Sequence, residues 1–599
     1  VENNFGEDDT TAEPAATAPP PAQAAEAKAG ELVGVAASPG IAIGPAFLYR
    51  AAVIKVETRQ IDDPQAEQDR LRQAIEAAKQ EIDLLKRQAE SQISRYEAGI
   101  FEAHRLVLKD PALVDAALGF IAEAHINAEA AWQKAVEAII AGYQALDDPY
   151  LQARQADVTD VGQRVLKHLT GTVPAKPTLD TPSIIIADDL SPSDTMQLDP
   201  DKVLGICTAL GSATAHSAIL ARALGIPAVV GVGPAIRQIK DGTVVALDGQ
   251  QGKVWPAPDE QTRRDLQARR DRWRSDWALL KASAQQPAIT TDGKRVEIAA
   301  NIGAATEIKN ALRHGAEGVG LFRTELLFIN RTAPPDEEEQ VAIYRQAADL
   351  LGRRPLIIRT LDIGGDKPLP YLNLPPEENP FLGWRGIRLC LGQPELFKTQ
   401  LRAILRASFK RQIKIMFPMV STVDEIRAAR QLLAEVQADL RASGIPFDEG
   451  MQIGIMVETP AAVAQADLLA TEVDFFSIGT NDLSQYTMAA DRTNARVSAL
   501  TNPFHPAVLR MIQQTIKAGH KAGIWVGMCG EFAGNPLAAP LLLGLELDEF
   551  SMNAPAIPQV KQIIRRLSLR KARQIARKAL KLDSAQAVEA FLKTSLPSG

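Results

Sequence analysis

Residues 453–482 read IGIMVETPAAVAQADLLATEVDFFSIGTND, and their pattern decides the fold. IGIMVE at 453 and DFFSIG at 474 are short, apolar, β-branched or aromatic runs, the signature of strands buried on both faces. A helical stretch separates them, and each run ends on groups able to bind a ligand: Glu458 after the first, Asn481 and Asp482 after the second. The same unit recurs upstream and downstream. VEIAAN at 296, GVGLF at 318, LIIRTL at 356, IKIMFP at 413, IWVGMC at 524 and LDEFSM at 547 are the other strand candidates, with helical segments between them. Strands alternating with helices in this number are what a (β/α)₈ TIM barrel requires, here over residues 288–599. A doubly wound open sheet is the competing arrangement.

A barrel of this kind carries its site at the C-terminal ends of the strands. Those ends are Asn301, Arg323, Arg359 with Asp362 close behind, Pro418 and Met419, Glu458, Asn481 with Asp482, and Cys529 followed by Gly530 and Glu531. The loop after the third strand adds Asp366, Lys367, Arg385 and Arg388, and Arg492 follows Asp482 in a single loop. Guanidinium forks pair two-pronged with phosphate and carboxylate, so the set suits a small, multiply anionic ligand. Glu458 and Asp482 are hard oxygen donors that, with phosphate oxygens, suit Mg²⁺. A lone strand-end arginine is commonly half of a structural ion pair, and it is the joint placement that favours a site. Cys529 is either a small core residue or a general acid.

Ahead of the barrel the pattern differs. From Glu31 to about Ile54, apolar and small residues alternate with Gly and Pro, as in short strands and turns. Leu71, Ile75, Ala78, Ile82 and Leu85 then recur at helical spacing, and helical patterns continue to about His168. Strands return as SIIIA at 183, KVLGIC at 202, PAVVG at 227 and TVVALD at 243, with the helix HSAILARAL between two of them. The expected organisation is an α/β domain over 31–57 and 169–257, a helical subdomain over 58–168, and a charged linker helix over 258–287. Gly, Ser and Thr before His216 suggest a turn with an N-cap, so that the imidazole projects from the first turn of a helix, where backbone N–H groups favour an attached phosphate. Histidine serves as a covalent nucleophile in such transfers, although a capping or packing role fits this segment equally.

With 46% hydrophobic and 23% charged residues and a net charge of −7, the chain reads as globular and without a broadly basic nucleic-acid surface. Cys207, Cys390 and Cys529 lie too far apart for a zinc or disulfide framework, no apolar run is long enough for a membrane helix, and a cytoplasmic location is the expectation. Residues 1–30 are Ala/Pro-rich and read as a flexible linker. VENNFG, at 1–6, reads as the end of a helix, so the expectation is the C-terminal part of a longer polypeptide, with a disordered N-terminal tail on a complete protein as the alternative.

The stretches ASPGIAIGPA, GSATAHSAILARALGIPAVVG, GAEGVGLFRTELLF, IIRTLDIGGDK, ENPFLGWRGIR, GIMVETPAA, DFFSIGTNDLSQYTMAADR and GMCGEFAG resemble, in order, Enzyme I of the bacterial phosphoenolpyruvate:sugar phosphotransferase system over nearly all of 31–590. The resemblance implies that His216 is phosphorylated by phosphoenolpyruvate and passes its phosphoryl group to a histidine of the phosphocarrier HPr. It implies that Arg323, Arg359, Asn481 and Arg492 bind phosphoenolpyruvate, with Arg385 helping at the phosphate. Glu458 and Asp482 would be the Mg²⁺ ligands, and Cys529 would protonate the enolate to pyruvate. The helical subdomain would dock HPr, with His104 supporting that surface or interdomain contacts, and the barrel would mediate a homodimer. Some relatives carry a fused HPr-like module, which would account for the linker. The family pattern before the histidine is commonly Gly-Gly-x-Thr-Ser-His, and here Ser212 and Ala215 depart from it. A pyruvate phosphate dikinase would need an ATP-binding module, and no glycine-rich phosphate loop stands ahead of His216. A regulatory relative that has lost catalysis would lack a site residue, and none is missing.

Overall fold

The computed structural model describes residues 30–596, apart from 51–53, 93–98, 145–148, 173–178, 365–368 and positions 180, 213, 214, 330, 332, 373, 376, 493 and 495. VENNFG, nearly all of the 1–30 linker, Thr214, Asp366 and Lys367 therefore lie outside the described residues, as does the side chain of His216. The chain divides into two compact units, one containing Ala156–Asp271 and most of the chain before it, the other containing Arg272–Gly599.

The first unit is built on a mixed sheet. Its strands are β1 (Leu32–Val33), β2 (Val35–Ser38), β3 (Ile41–Leu48), β4 (Ser183–Ala187), β5 (Val203–Thr208), β6 (Ala228–Val230), β7 (Val244–Asp248) and β8 (Lys253–Pro256). They are ordered β1-β8-β7-β3-β4-β5-β6-β2. β3 and β4 pair in parallel, with Ala46 opposite Ile184. Between these neighbouring strands the chain leaves the sheet to form the helices α1 (Pro64–Gln92), α2 (Gly99–Val107), α3 (Pro111–Ala124), α4 (Ala128–Gln144) and α5 (Pro149–Thr170). The helical stripe read from the sequence is the stripe that packs, because Leu71, Ile75, Ala78, Ile82 and Leu85 are all buried. His104 is fully buried, its ring nitrogens 3.4 Å from Asp157 and 3.7 Å from Asp160. Its ring is therefore not itself part of an exposed surface. It belongs instead to the seam with the sheet, where the Ser193 hydroxyl of α6 (Pro192–Met196) donates to Asp160 at 2.7 Å.

His216 is the first residue of α7 (His216–Leu224), as the turn before it suggested, but the cap differs. The N-cap position falls on Ala215, which has no side-chain oxygen and makes no capping hydrogen bond. Gly225 closes the helix at φ 72°, a left-handed conformation that glycine takes without strain.

The second unit takes up α8 (Glu260–Ser283) from Arg272 onward. The end of α8 is fastened where Lys561 Nζ donates to the carbonyls of Ala284 and Gln286, at 3.1 and 3.2 Å, and Arg565 donates to that of Ser283 at 2.7 Å. After β9 (Ala288–Ile289) come β10 (Arg295–Ile302), β11 (Val319–Arg323), β12 (Leu356–Arg359), β13 (Ile413–Phe417), β14 (Ile453–Val457), β15 (Phe475–Ile478), β16 (Trp525–Met528) and β17 (Glu549–Met552). β10 to β17 are parallel in sequence order, and β17 pairs back onto β10, so the sheet closes as a barrel and the open-sheet alternative falls. Apolar side chains of alternate residues face the surrounding helices; the others fill the interior, where Leu321, Ile357, Met416, Met456, Phe475 and Cys529 form one cluster. At the N-terminal end of the interior, Glu297 stands opposite Glu549, and Lys414 Nζ lies 4.6 Å above the Trp525 ring.

Candidate active site

Every strand-end group read from the sequence emerges at the same end of the barrel. Arg323 and Arg359 are the last residues of β11 and β12, Glu458 follows β14 directly, and Cys529 follows β16. Asn481 and Asp482 sit one step further out, in the first turn of the helix Thr480–Met488 that follows β15. Because the strands are parallel and in register, their C-terminal ends form one rim.

Carboxylates and guanidinium groups alternate around this rim. Arg359 is buried between Glu325 at 2.6 Å and Asp362 at 3.0 Å, and the charges of those neighbours raise its pKa against the opposing effect of burial. Arg385, also buried, shares Asp362 through Nε and Nη2 and reaches Asp482 through Nη1 at 2.9 Å and Nη2 at 3.2 Å. Arg492 Nη1 approaches the same Asp482 carboxylate at 3.4 Å. Arg323, by contrast, makes no hydrogen bond to any described residue and is free to meet an anion.

Glu458 brings an open carboxylate oxygen to the rim. Its Oε1 accepts the Met419 N–H at 2.6 Å, while Oε2 is buried with no hydrogen-bond partner. Met419 holds φ at 60°, a left-handed conformation unusual for this residue, and in it directs its N–H at Glu458. Burial, with Asp482 and Asp362 beside it, pushes the Glu458 carboxyl up to about 8. A Cβ on Gly479 would come within 2.7 Å of Oε2, so glycine there keeps the space open. An orphaned buried oxygen next to a second carboxylate fits a divalent cation. Among the described residues no three His, Cys, Asp or Glu side chains could hold such an ion alone.

Three family profiles cover most of the chain: PEP-utilising enzyme, N-terminal, over 33–154; PEP-utilising enzyme, mobile domain, over 179–252; and PEP-utilising enzyme, PEP-binding domain, over 278–569. The phosphoenolpyruvate-protein phosphotransferase of Geobacillus stearothermophilus is 45% identical over 564 residues, 94% of this chain and 97% of its own length. That of Bacillus subtilis is 44% identical over 567 residues, 94% of this chain and 99% of its own. The chain belongs to the phosphoenolpyruvate-protein phosphotransferase family. A solution structure of an Enzyme I protein is 37% identical over 41% of the chain, with a TM-score of 0.34.

Arg323, Arg359, Arg385, Arg492, Glu458, Asp482, Asn481 and Cys529 gather at one rim. Asn481 Oδ1 accepts the Glu531 N–H at 3.2 Å, which ties the β15 and β16 loops together. Arg388, grouped with the ligand-binding arginines in the sequence, points elsewhere. It donates to the carbonyls of Leu382 and Gly383, both at 3.3 Å, and to Ser421 at 3.2 Å, bracing the turn Pro380–Leu382. Sequence reading missed Glu325, Tyr486 and Phe381. The Tyr486 hydroxyl accepts from Arg385 at 3.3 Å, and the Phe381 ring lies 6.0 and 5.9 Å from the guanidinium carbons of Arg385 and Arg492. Only the closeness of Glu325 to Arg323 in RTELLF, and of Phe381 to Arg385 in PFLGWR, could have signalled them.

Cys529 closes the site from below. Burial pushes its thiol up to about 11, with the Ser477 hydroxyl pulling the other way. Asn301 holds its backbone, donating from Nδ2 to the Cys529 carbonyl at 2.9 Å, while Ser551 donates to Asn301 Oδ1 at 2.7 Å. The thiol is therefore protonated at neutral pH and aimed from a fixed backbone.

Proposed function

We propose that this chain transfers the phosphoryl group of phosphoenolpyruvate to its own His216, releases pyruvate, and passes the group to a histidine of the phosphocarrier HPr, the first step of sugar uptake by the phosphotransferase system. The observation that carries the reading is the convergence of Arg323, Arg359, Arg385 and Arg492 beside Glu458, Asp482 and Cys529 on one barrel rim. A three-carbon enol phosphate carries a phosphate, a carboxylate and a carbon that must be protonated, and the rim has a group for each.

In this reading Arg323, Arg359 and Arg492 bind the phosphate and carboxylate, with Arg385 and Asn481 placing the phosphate. Glu458 and Asp482 would hold Mg²⁺, whose bound charge would neutralise the phosphoryl oxygens. A His216 nitrogen attacks phosphorus in line, the bond from phosphorus to the enol oxygen breaks, and the oxygen keeps the electron pair. Cys529 gives its proton to C3 of the enolate, forming pyruvate, and the thiolate regains a proton from solvent. Positioning and charge stabilisation supply most of the acceleration in such a transfer.

The remaining assignments extend the same reading. Residues 31–57 and 169–257 form the mobile phosphohistidine domain, 258–287 the linker helix, and 288–599 the phosphoenolpyruvate-binding barrel. The helical subdomain 58–168 receives HPr or a fused HPr-like module. The barrel mediates a homodimer, and the enzyme works in the cytoplasm; no helix among the described residues is long and apolar enough to cross a membrane. Ser212 and Ala215 alter the turn before His216 without removing the helix, so activity is retained. The test is pyruvate release from phosphoenolpyruvate with Mg²⁺ and excess HPr. Wild type should turn over and His216→Ala should not; equal rates would remove His216 from the reaction.

A further inference from the structure

The two carboxylates assigned above to a divalent cation are in opposite conditions. Glu458 keeps Oε2 open. Asp482 has both oxygens taken, since Arg385 meets them fork on fork, Nη1 to Oδ1 at 2.9 Å and Nη2 to Oδ2 at 3.2 Å, and Arg492 adds a contact at 3.4 Å. Arg385 is itself buried, held from its other edge by Asp362 at 3.0 and 3.2 Å, so this pairing is built into the rim and is not an exposed side chain's passing contact. Of the roughly four lone-pair sites of the carboxylate, the fork takes one on each oxygen and Arg492 faces a third, so a metal meets a largely occupied group beside two positive charges.

We infer that Arg385 and Arg492 compete with the divalent cation for Asp482, so that the anionic substrate, by drawing these guanidinium groups onto its phosphate, releases Asp482 to the cation. The inference rests on the metal and substrate assignments proposed above. No covalent bond changes. Guanidinium–carboxylate contacts are exchanged for guanidinium–phosphate and carboxylate–cation contacts, and total charge is conserved. The consequence is a binding order. Cation alone finds one free carboxylate and binds weakly; cation with phosphoenolpyruvate finds two and binds tightly. By linkage the cation must tighten phosphoenolpyruvate by the same factor.

Mn²⁺ serves as the probe, its free concentration read by electron paramagnetic resonance. The full chain carries His216→Ala as the parent, so that no phosphoryl transfer occurs. Removing any nearby positive charge would tighten a cation by simple electrostatics, so the deciding variants keep the charge and lose the fork. Arg385→Lys and, at the more exposed position, Arg492→Lys should each bind Mn²⁺ alone about 10-fold more tightly than the parent, roughly the worth of one charge-assisted contact. The extra tightening that phosphoenolpyruvate produces should shrink by the same factor. Arg388→Lys, whose guanidinium is turned to Leu382, Gly383 and Ser421 and touches neither carboxylate, should stay within about 2-fold of the parent. If neither Arg385→Lys nor Arg492→Lys binds Mn²⁺ more tightly while Glu458→Gln and Asp482→Asn weaken it, the exchange is wrong and the metal site stands. Should Glu458→Gln and Asp482→Asn leave Mn²⁺ binding untouched, the metal site and the exchange fall together.

Discussion

A thiol raised to about 11 has a proton to give and almost no thiolate with which to attack, so Cys529 suits protonation of an enolate and not covalent catalysis. Cys529→Ala should therefore slow pyruvate formation by about 10²- to 10⁴-fold while changing phosphoenolpyruvate binding little; unchanged turnover with a raised KM would remove the acid role. Phe381 makes a different kind of contribution. Its ring faces the guanidinium groups of both Arg385 and Arg492, and a partly desolvated cation–π contact is worth about 0.5–2 kcal/mol. Phe381→Leu should raise the KM for phosphoenolpyruvate by roughly 3- to 30-fold, and Phe381→Tyr should stay near wild type. Equal losses in the two variants would point to packing alone. Arg385 and Phe381 also mark where sequence reading stops. Residue type and strand-end position made the arginines candidates for binding an anion, but nothing in the spacing distinguished Arg385, turned inward onto Asp482, from Arg388, three positions on and turned toward the loop it braces. Glu325 was missed because a carboxylate next to an arginine in sequence is uninformative until the turn folds it under Arg359.

At the scale of elements the alternation of β-branched runs with helices was enough to place β10 to β17, because strands buried on both faces must be continuous apolar runs. The polar exceptions inside the barrel were not legible. Glu549 faces the interior opposite Glu297, with one oxygen buried and unpartnered. Burial, reinforced by Glu297 and opposed by Lys414, pushes its carboxyl up to about 8. The folded value lies above the unfolded one, so the stability tied to the protonated form is complete in acid and is lost as pH rises through about 8. Glu549→Gln abolishes that loss. Its thermal midpoint for the barrel, measured against wild type by calorimetry, should rise from pH 5 to about pH 8 and level off above it, whereas a constant difference throughout would show that Glu549 does not titrate in the folded barrel. The turn after β15 yields a second test. Gly479→Ala puts a methyl group within 2.7 Å of Glu458 Oε2, so Mn²⁺ affinity should fall about 10-fold or more with little change in secondary structure. Undiminished affinity would mean that the open oxygen of Glu458 is not a metal ligand. The cap of α7 was misread for a simple reason: Gly, Ser and Thr pointed to a side-chain cap, but the helix begins at His216, which puts Ala215 in the capping position.

For the whole molecule, the sequence carried the division into an α/β part, a helical part and a barrel, because each has its own periodicity. It also placed His216, the proposed nucleophile, far along the chain from the proposed binding groups. The structure puts them in separate units, His216 in the first and the rim in the second, so the account demands that a residue of one unit take a phosphoryl group held by the other. That demand is tested most directly by incubating the full chain with Mg²⁺ and phosphoenolpyruvate, measuring intact mass, and mapping any acid-labile phosphate by peptide fragmentation. The prediction is a single added phosphoryl group on His216, absent when ATP replaces phosphoenolpyruvate and absent in Arg359→Ala. Phosphate on another residue, or labelling from ATP but not from phosphoenolpyruvate, would contradict it.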